Sequence, residues 1–591
     1  MSEGTYKVKF DRKTIACPEG EPLGVCLYRN GIKSLNFSSK HLRCRGFTDL
    51  EWWMPERFQS QQDSFLNPYA VVDDGISVTI PRPGALHQFL IGTMGHMVDS
   101  QFPHKVIVRK RPFWSVARRL LRRDLPHPLP TPVQQQMIKQ SVIETDALVV
   151  GSGVSGISFA LKLRELGGKV AVIEAAHTLG GHAALDESTM QGLGKRLRDY
   201  AEGLVQRAQD EGVQLFTDLA FDGFFDDGAL GVRLGGLQSD APVFLRARFF
   251  VFATGLRDLP SLFENNDIPG HITASTALKL AGRYGVRLGD EGVVIGSNEY
   301  AVRTALQLKS TEVGVTLATR YEHLTGVRRE YLAALKDAKI PVVAGVRKMS
   351  AIGKTRVRSL VVDEKRLQVD FIVSAESMSP TLELLGQAGV PVGYSRDLRS
   401  LIPMHGWNGE TVNDRVLVVG RSSGILDEYA SSAFAEATAY YVATKLKLGV
   451  KDEDVANKLN EAKSALSNRC QENYESYSRL VSSYEARGVL NDHGQKAIYS
   501  DDPHKVFVCF CEDITLSDIL RAVTVHGFQD VEMVKRYTGV GTGKCQGKRC
   551  LANSVYVISD LTRKPPGTIN VFRQRPMTVT TSLESLESAE L

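Results

Sequence analysis

Residues 146–175 read DALVVGSGVSGISFALKLRELGGKVAVIEA. An apolar run, ALVV, leads into Gly151, Gly153 and Gly156 at G-x-G-x-x-G spacing, a helical pattern follows, and a second apolar run ends on Glu174. Strand, glycine turn, helix and strand within about thirty residues make a β-α-β unit built to hold a nucleotide. The first glycine permits the tight turn, the second lets a phosphate reach the backbone and the third packs helix against strand. Val154 and Ser155 lie within that turn, whose helix N-terminus faces a pyrophosphate. Glu174 closes the second strand, where a carboxylate accepts hydrogen bonds from ribose hydroxyls.

Further strands are expected at 249–255 (FFVFATG), 292–297 (GVVIGS) and 415–424 (RVLVVGRSSG), each followed by a helical pattern. Alternation of β and α over roughly 300 residues predicts an α/β fold of two doubly wound, Rossmann-like parallel sheets. The expected division is a nucleotide-binding domain at 141–285, a second Rossmann-like domain at 286–400 and a return to the first at 401–450. Gly180-Gly181 and Ala253-Thr254-Gly255 resemble the two-dinucleotide-domain flavoproteins at points where the chain passes close to the cofactor. Two departures from that family stand out. The second fingerprint reads Gly296-Ser-Asn298-Glu-Tyr-Ala301, with Asn298 where a glycine would admit the pyrophosphate, so the second site is read as degenerate. The late strand ends in Gly420-Arg421 where the family has Gly-Asp, putting a cation where a carboxylate would hold a flavin ribityl chain.

The rest of the 591 residues bounds the function. Apolar residues make up 43% and charged residues 24%, globular proportions that exclude disorder as the main theme. A net charge of +5 is too dilute for a nucleic-acid-coating surface. No apolar run is long enough to span a bilayer and the start lacks a signal-peptide core, so a cytoplasmic protein in a reducing compartment is expected. At the N-terminus, 1–102 begins with alternating apolar and polar residues and reads as a small β-grasp domain. Residues 103–140 read as a basic helix and a proline-rich linker, 451–500 as a helical connector and 566–591 as a Thr-, Ser- and Glu-containing tail.

Between connector and tail, 501–565 carries Cys509 and Cys511 as C-x-C, and Cys545 and Cys550 as C-x4-C. Four thiolates from two short loops suit an iron–sulfur cluster or zinc, and softness alone does not choose between them. Cys17, Cys26, Cys44 and Cys470 share no such spacing and are read as buried or free thiols. His182, just past Gly180-Gly181, is placed where it could approach a cofactor, with an ordinary loop histidine as the more common reading of such a position.

These residues together resemble the α subunits of sarcosine oxidase-like heteromeric amine and imino acid dehydrogenases, among them dye-linked proline dehydrogenase, opine oxidase and hydrogen cyanide synthase. FCEDITLSDILRAV and EMVKRYTGVGTGKCQGKRC are similar to the bacterioferritin-associated-ferredoxin-like [2Fe-2S] module of these subunits. KVKFDRKTIACPEGEPLGVCLYRNGIKSL resembles their β-grasp ferredoxin-like domain, here with Cys44 alone where some relatives place a cluster. The resemblance implies a division of labour: amine oxidation at FAD in a partner β subunit, an FMN held between the subunits, and a [2Fe-2S] cluster on this chain. Small additional subunits and an external one-electron acceptor complete the implied hetero-oligomer. The nucleotide of the Rossmann-like site is FAD, NAD or ATP on the same resemblance. No substrate-oxidising base or nucleophile is identifiable, so no catalytic residue is assigned. A self-contained NAD(P)H-dependent iron–sulfur flavoprotein reductase is the alternative, with Asn298 and Arg421 against it, and a non-catalytic scaffold is a third reading.

Overall fold

The computed structural model describes residues 4–11, 13–38, 43–46, 59–60, 74–75, 77–79, 141–190, 194–225, 228–234, 242–494, 498–543, 545–576 and 578–579. The expected basic helix and proline-rich linker at 103–140 lie outside the described residues.

The strand Ser141–Val150 sits at the centre of the first sheet. It pairs in parallel with Val170–Ile173 on one side and Pro242–Phe252 on the other, and Pro242–Phe252 in turn pairs in parallel with Val416–Val418. Every residue of Val170–Ile173 is buried, as a strand covered on both faces requires. The helix Val154–Glu165 covers one face and packs against Glu428–Lys445, whose sequence EYASSAFAEATAYYVATK is rich in alanine and serine. Small side chains let the two helices approach closely enough for Ser155 and Ser431 hydroxyls to hydrogen-bond at 2.9 Å and for Ser158 to bond Ser432.

The second sheet is wholly parallel, in the order His271–Thr273, Phe371–Ser374, Glu291–Ile295, Gly314–Ala318 and Val342–Val343. The expected strands at 249–255, 292–297 and 415–424 all contribute to these two sheets. One expectation differs locally: after Phe252 no helix follows at once, and the chain crosses through two-residue strands before reaching His271. That crossing, Ala253 to Gly270, is the bridge between the sheets, and its backbone groups are spent on tertiary partners instead of a helix ladder.

At the N-terminus, Thr5–Phe10 pairs antiparallel with Lys13–Pro18 and parallel with Ser77–Thr79, with the helix Leu23–Arg29 following the hairpin. Cys17 and Cys26 form a disulfide with Cα atoms 5.3 Å apart, correcting the expectation of separate thiols for this pair. Spacing in sequence does not reveal such a pair; here the helix brings Cys26 beside the strand residue Cys17. The segment 451–500 contains two helices, Asp452–Arg469 and Gln471–Glu485.

The cysteine-bearing unit is a hairpin, Phe507–Cys509 with Ile514–Thr515, and three helices, Leu516–Thr524, Val531–Thr538 and Leu551–Thr562. Its core is continuous with Leu259, Leu262, Leu382 and Leu401 of the nucleotide-binding region, so the two share one apolar interior. No described helix is long and apolar enough to cross a membrane.

Candidate functional site: a nucleotide cleft beside a four-thiol cluster

The glycine turn opens onto a cavity of about 280 Å³. Of the sequence-predicted residues, Gly151, Gly153, Val154, Ser155, Glu174, Gly181, Thr254, Gly255 and Gly420 line it. Gly156 and Gly180 do not, and each has a supporting place instead. A Cβ on Gly156 would lie 2.2 Å from the Gly151 carbonyl oxygen and 3.0 Å from the Ala253 Cβ, so this glycine is what lets the helix press against the turn. Gly180 bridges to Gly153 and donates its N–H to the Ser152 carbonyl at 3.2 Å, tying the second loop to the first.

Glu174 stands at the cavity edge, where its Oε2 accepts from the Ser152 N–H at 2.9 Å and the Ser152 hydroxyl at 2.8 Å. Its Oε1 accepts from the Ala176 N–H at 2.9 Å. The carboxylate is thereby fixed in orientation: Oε2 is filled by its two Ser152 bonds, and Oε1, with one bond, keeps lone-pair capacity for a ligand hydroxyl.

Arg257, Lys279 and Arg283 from the two-domain body and Thr578 from the C-terminal segment also line the cavity and were not picked out from sequence, while Arg421 and His182, noted there without a binding role, line it too. Arg421 lies 5.4 Å over the Tyr300 ring. Burial first, and then the positive field of Arg421, push the His182 imidazole down to about 3, so His182 is neutral. His182 stacks edge-on against Tyr300 at 5.2 Å. Its place in the cleft lining suits the reading in which it could approach a cofactor. Its adjacency to Gly180-Gly181 was the available signal. Arg257, on the short strand Arg257–Asp258, and Lys279 and Arg283, on a helical turn, sit in stretches whose sequence carries no motif.

The second fingerprint is occupied by the protein's own side chains. Asn298 caps the helix Glu299–Lys309, its Oδ1 accepting the Ala301 N–H at 3.0 Å, which uses the amide that a phosphate would otherwise meet. Arg399 donates to Ser297 and Thr325 and lies 4.2 Å over the Tyr321 ring, while Arg328 pairs with Glu299 at 2.6 Å.

Cys509, Cys545 and Cys550 are buried and Cys511 is partly so. Their thiols interact in a chain: Cys509 with both Cys511 and Cys550, and Cys511 with Cys545. All four pKa values are raised. Cys545 rises through its contact with Cys511 and then burial, and Cys511 is pushed up to about 12 through Cys509, Cys545 partly opposing, and burial. For Cys509 the contact with Cys511 lowers the value while that with Cys550 and burial raise it further, and for Cys550 the contact with Cys509 lowers it and burial beside Cys545 and Cys511 outweighs that. Buried against one another, the four sulfurs stay protonated as neutral thiols, and deprotonating them together would call for a nearby positive charge. Two details fit a metal centre. A Cβ on Gly543 would lie 2.4 Å from the Cys511 Cβ, so only glycine lets that loop close over the cysteines. The buried Arg549 acts on Cys511 and Cys545 as a neighbouring positive charge. Among the described residues no set of three or more His, Cys, Asp or Glu side chains adopts metal-holding geometry.

The thiol cluster and the nucleotide cleft are neighbours. Lys548, between Cys545 and Cys550, is buried and donates to the Thr578 carbonyl, and the charges it feels include Glu383, Arg257 and Cys545. Arg257, Glu383 and Thr578 all line the cleft, and Arg257 pairs with Glu383 at 2.9 Å.

Residues 145–399 match the pyridine nucleotide-disulphide oxidoreductase family, and residues 503–589 match the sarcosine oxidase A3 domain. The chain is 24% identical over 442 residues to the alpha subunit of sarcosine oxidase from Corynebacterium sp. (strain U-96), covering 71% of this chain and 42% of that one. It is 22% identical over 468 residues to the opine oxidase A subunit of Agrobacterium tumefaciens (strain Ach5), covering 73% of this chain and 89% of that protein. The chain thus spans less than half of the sarcosine oxidase subunits it matches. Among solved structures, the L-proline dehydrogenase from P. horikoshii superposes with a TM-score of 0.69 at 20% identity, covering 99% of this chain and 98% of that one, a likeness of fold. With a glycine-turn cleft and a region matching the A3 domain in one chain, the protein is similar to the sarcosine oxidase alpha and opine oxidase A subunits.

Proposed function

We propose that this chain is the electron-transfer subunit of a heteromeric, flavin-dependent dehydrogenase or oxidase acting on amines or imino acids of the sarcosine, proline or opine type. In this reading the substrate is oxidised at FAD in a partner β subunit, an FMN lies between the subunits, and Cys509, Cys511, Cys545 and Cys550 hold a [2Fe-2S] cluster on this chain. Such a cluster accepts electrons singly, so it can pass a flavin's electron pair to a one-electron acceptor. The observation that carries the reading is the buried chain of four thiols beside a nucleotide cleft, in a module that matches the sarcosine oxidase A3 domain. The chain's own part is to bind an adenine nucleotide at the Gly151–Gly156 turn, fix its ribose with Glu174 and shield the four sulfurs from water. FAD, NAD and ATP remain the candidates for that nucleotide, to be identified by mass spectrometry of what the native protein releases on denaturation.

The competing reading is the NAD(P)H-dependent reductase. Capping of the second fingerprint by Asn298 and its covering by Arg399 speak against a nicotinamide dinucleotide there. The test is co-expression with a candidate β subunit and assay of dye reduction by sarcosine, proline and an opine. Reduction by one of these in the complex, with none by the isolated chain, is the expected result. Rapid bleaching of a bound flavin by NAD(P)H in the isolated chain would overturn it.

A further inference from the structure

The N-terminal domain reaches the thiol cluster through one buried cation. Arg45, on the strand Cys44–Gly46, is 5% exposed although it carries a full charge. Its Nη2 donates to Asp513, two residues beyond Cys511, and its Nη1 donates to Asp267 of the nucleotide-binding region. The guanidinium lies 4.7 Å over the Phe507 ring and 5.5 Å over the Phe510 ring, so it is pressed against the loop that presents Cys509 and Cys511. Arg43 supports it from the same segment, donating to Asp267 at 2.7 Å and to the Asn265 side chain at 3.1 Å. The neighbouring Asn266 clamps the backbone of Phe507 in both directions, accepting its N–H and donating to its carbonyl, each at 2.9 Å.

Three parts of the chain therefore meet at the cysteine hairpin: 43–46, 265–267 and 507–513. Asp267 and Asp513 are both almost wholly buried, and each would be a costly isolated anion without the arginines. Arg43 and Arg45 balance them, so loss of one member leaves a net charge close to the sulfurs. Cys511 is among the groups whose charge acts on Arg45.

We propose that Arg45 is a positioning residue for the four-thiol cluster and sets its reduction potential, the N-terminal domain thereby serving the C-terminal cluster. This rests on the cluster reading given above. A cation held near a thiolate-ligated cluster favours the reduced, more negative form and raises the potential; an anion does the opposite. Arg45→Met removes the cation and leaves the two carboxylates, so the midpoint falls. Asp513→Asn removes an anion and leaves the cation, so the midpoint rises. The second change is locally gentle, because Asp513 has φ near 52° and asparagine tolerates that left-handed backbone at least as well as aspartate. Arg45→Lys keeps the charge and loses the two-way fork, so its midpoint stays nearest the wild type while cluster retention drops.

The experiment uses the full chain, purified anaerobically. Iron and acid-labile sulfide are counted, the reduced cluster is identified by its paramagnetic resonance, and the midpoint is read by dye-mediated titration for the wild type and the three variants. Opposite shifts in Arg45→Met and Asp513→Asn are the expected result, since a purely structural role would impair retention in both without splitting the sign. If Arg45→Met does not accumulate folded, Asp513→Asn decides alone. An unchanged or lowered midpoint in Asp513→Asn overturns the inference while leaving the cluster reading intact. A wild type without iron and sulfide overturns the cluster reading itself.

Discussion

At the scale of single residues, the nucleotide cleft depends on a few atoms. Gly156→Ala would put a methyl group 2.2 Å from the Gly151 carbonyl, a backbone atom that cannot step aside, so the turn must open. Purified Gly156→Ala is expected to retain little nucleotide and to be destabilised by about 1–3 kcal/mol, read by nucleotide release and denaturant unfolding. Glu174→Gln halves the acceptor capacity that bonds Ser152 and Ala176, and nucleotide affinity is expected to fall roughly tenfold, about 1.4 kcal/mol, by calorimetry. Both residues were legible in the sequence because glycine spacing and a strand-end acid are local patterns. Arg421 was legible only as a departure, and its neighbours Lys279 and Arg257 were not legible at all, since a cation's place in a cleft depends on which distant segments meet there.

At the scale of elements, helix ends separate the two fingerprints. The first helix starts at Gly153 with no side-chain cap, leaving its amides for a ligand, whereas the second starts at Asn298, which caps itself. Asn298→Ala should therefore cost about 1 kcal/mol of stability without changing the nucleotide content of the protein, by thermal unfolding and nucleotide analysis. In the cysteine unit, Thr515 and Asp518 form a capping box on Leu516–Thr524, directly after the hairpin that carries Cys509 and Cys511. Thr515→Ala is expected to remove about 1 kcal/mol of stability and, on the proposed cluster reading, to lower the temperature at which visible absorbance is lost. The strands around the nucleotide turn and those at 249–255, 292–297 and 415–424 were readable from apolar runs, whereas strands such as His271–Thr273, Gly314–Ala318 and Phe371–Ser374 were not. The irregular crossing after Phe252 was not, because its hydrogen bonds are tertiary and leave no period in the sequence.

At the scale of the whole molecule, the C-terminal segment locks the cysteine unit to the first sheet. Asp222 Oδ1 accepts the Val579 N–H at 2.6 Å and the Asp222 carbonyl accepts the Thr578 hydroxyl at 3.0 Å. Burial raises the Asp222 carboxyl to about 6, the bonds from Val579 and Thr578 and the Lys548 charge only partly opposing it. An unfolded aspartate titrates near pH 4, so the native state binds this proton more tightly. The resulting stability is complete below about pH 4 and is lost as pH rises through 6, a change of about 3 kcal/mol. Asp222→Asn should flatten that slope, as read by unfolding across pH 4–7. Nothing in the composition foretold this lock, nor the meeting of Arg45, Asp267 and Asp513, because such junctions join segments hundreds of residues apart. The central claim, that electrons from an amine reach this chain's cluster through a partner, is tested most directly by anaerobic addition of substrate to the co-purified complex and freeze-quench paramagnetic resonance. The account predicts a reduced [2Fe-2S] signal that needs both substrate and partner. A signal raised by NAD(P)H in the isolated chain, or a complex that turns over while the cluster stays oxidised, would contradict it.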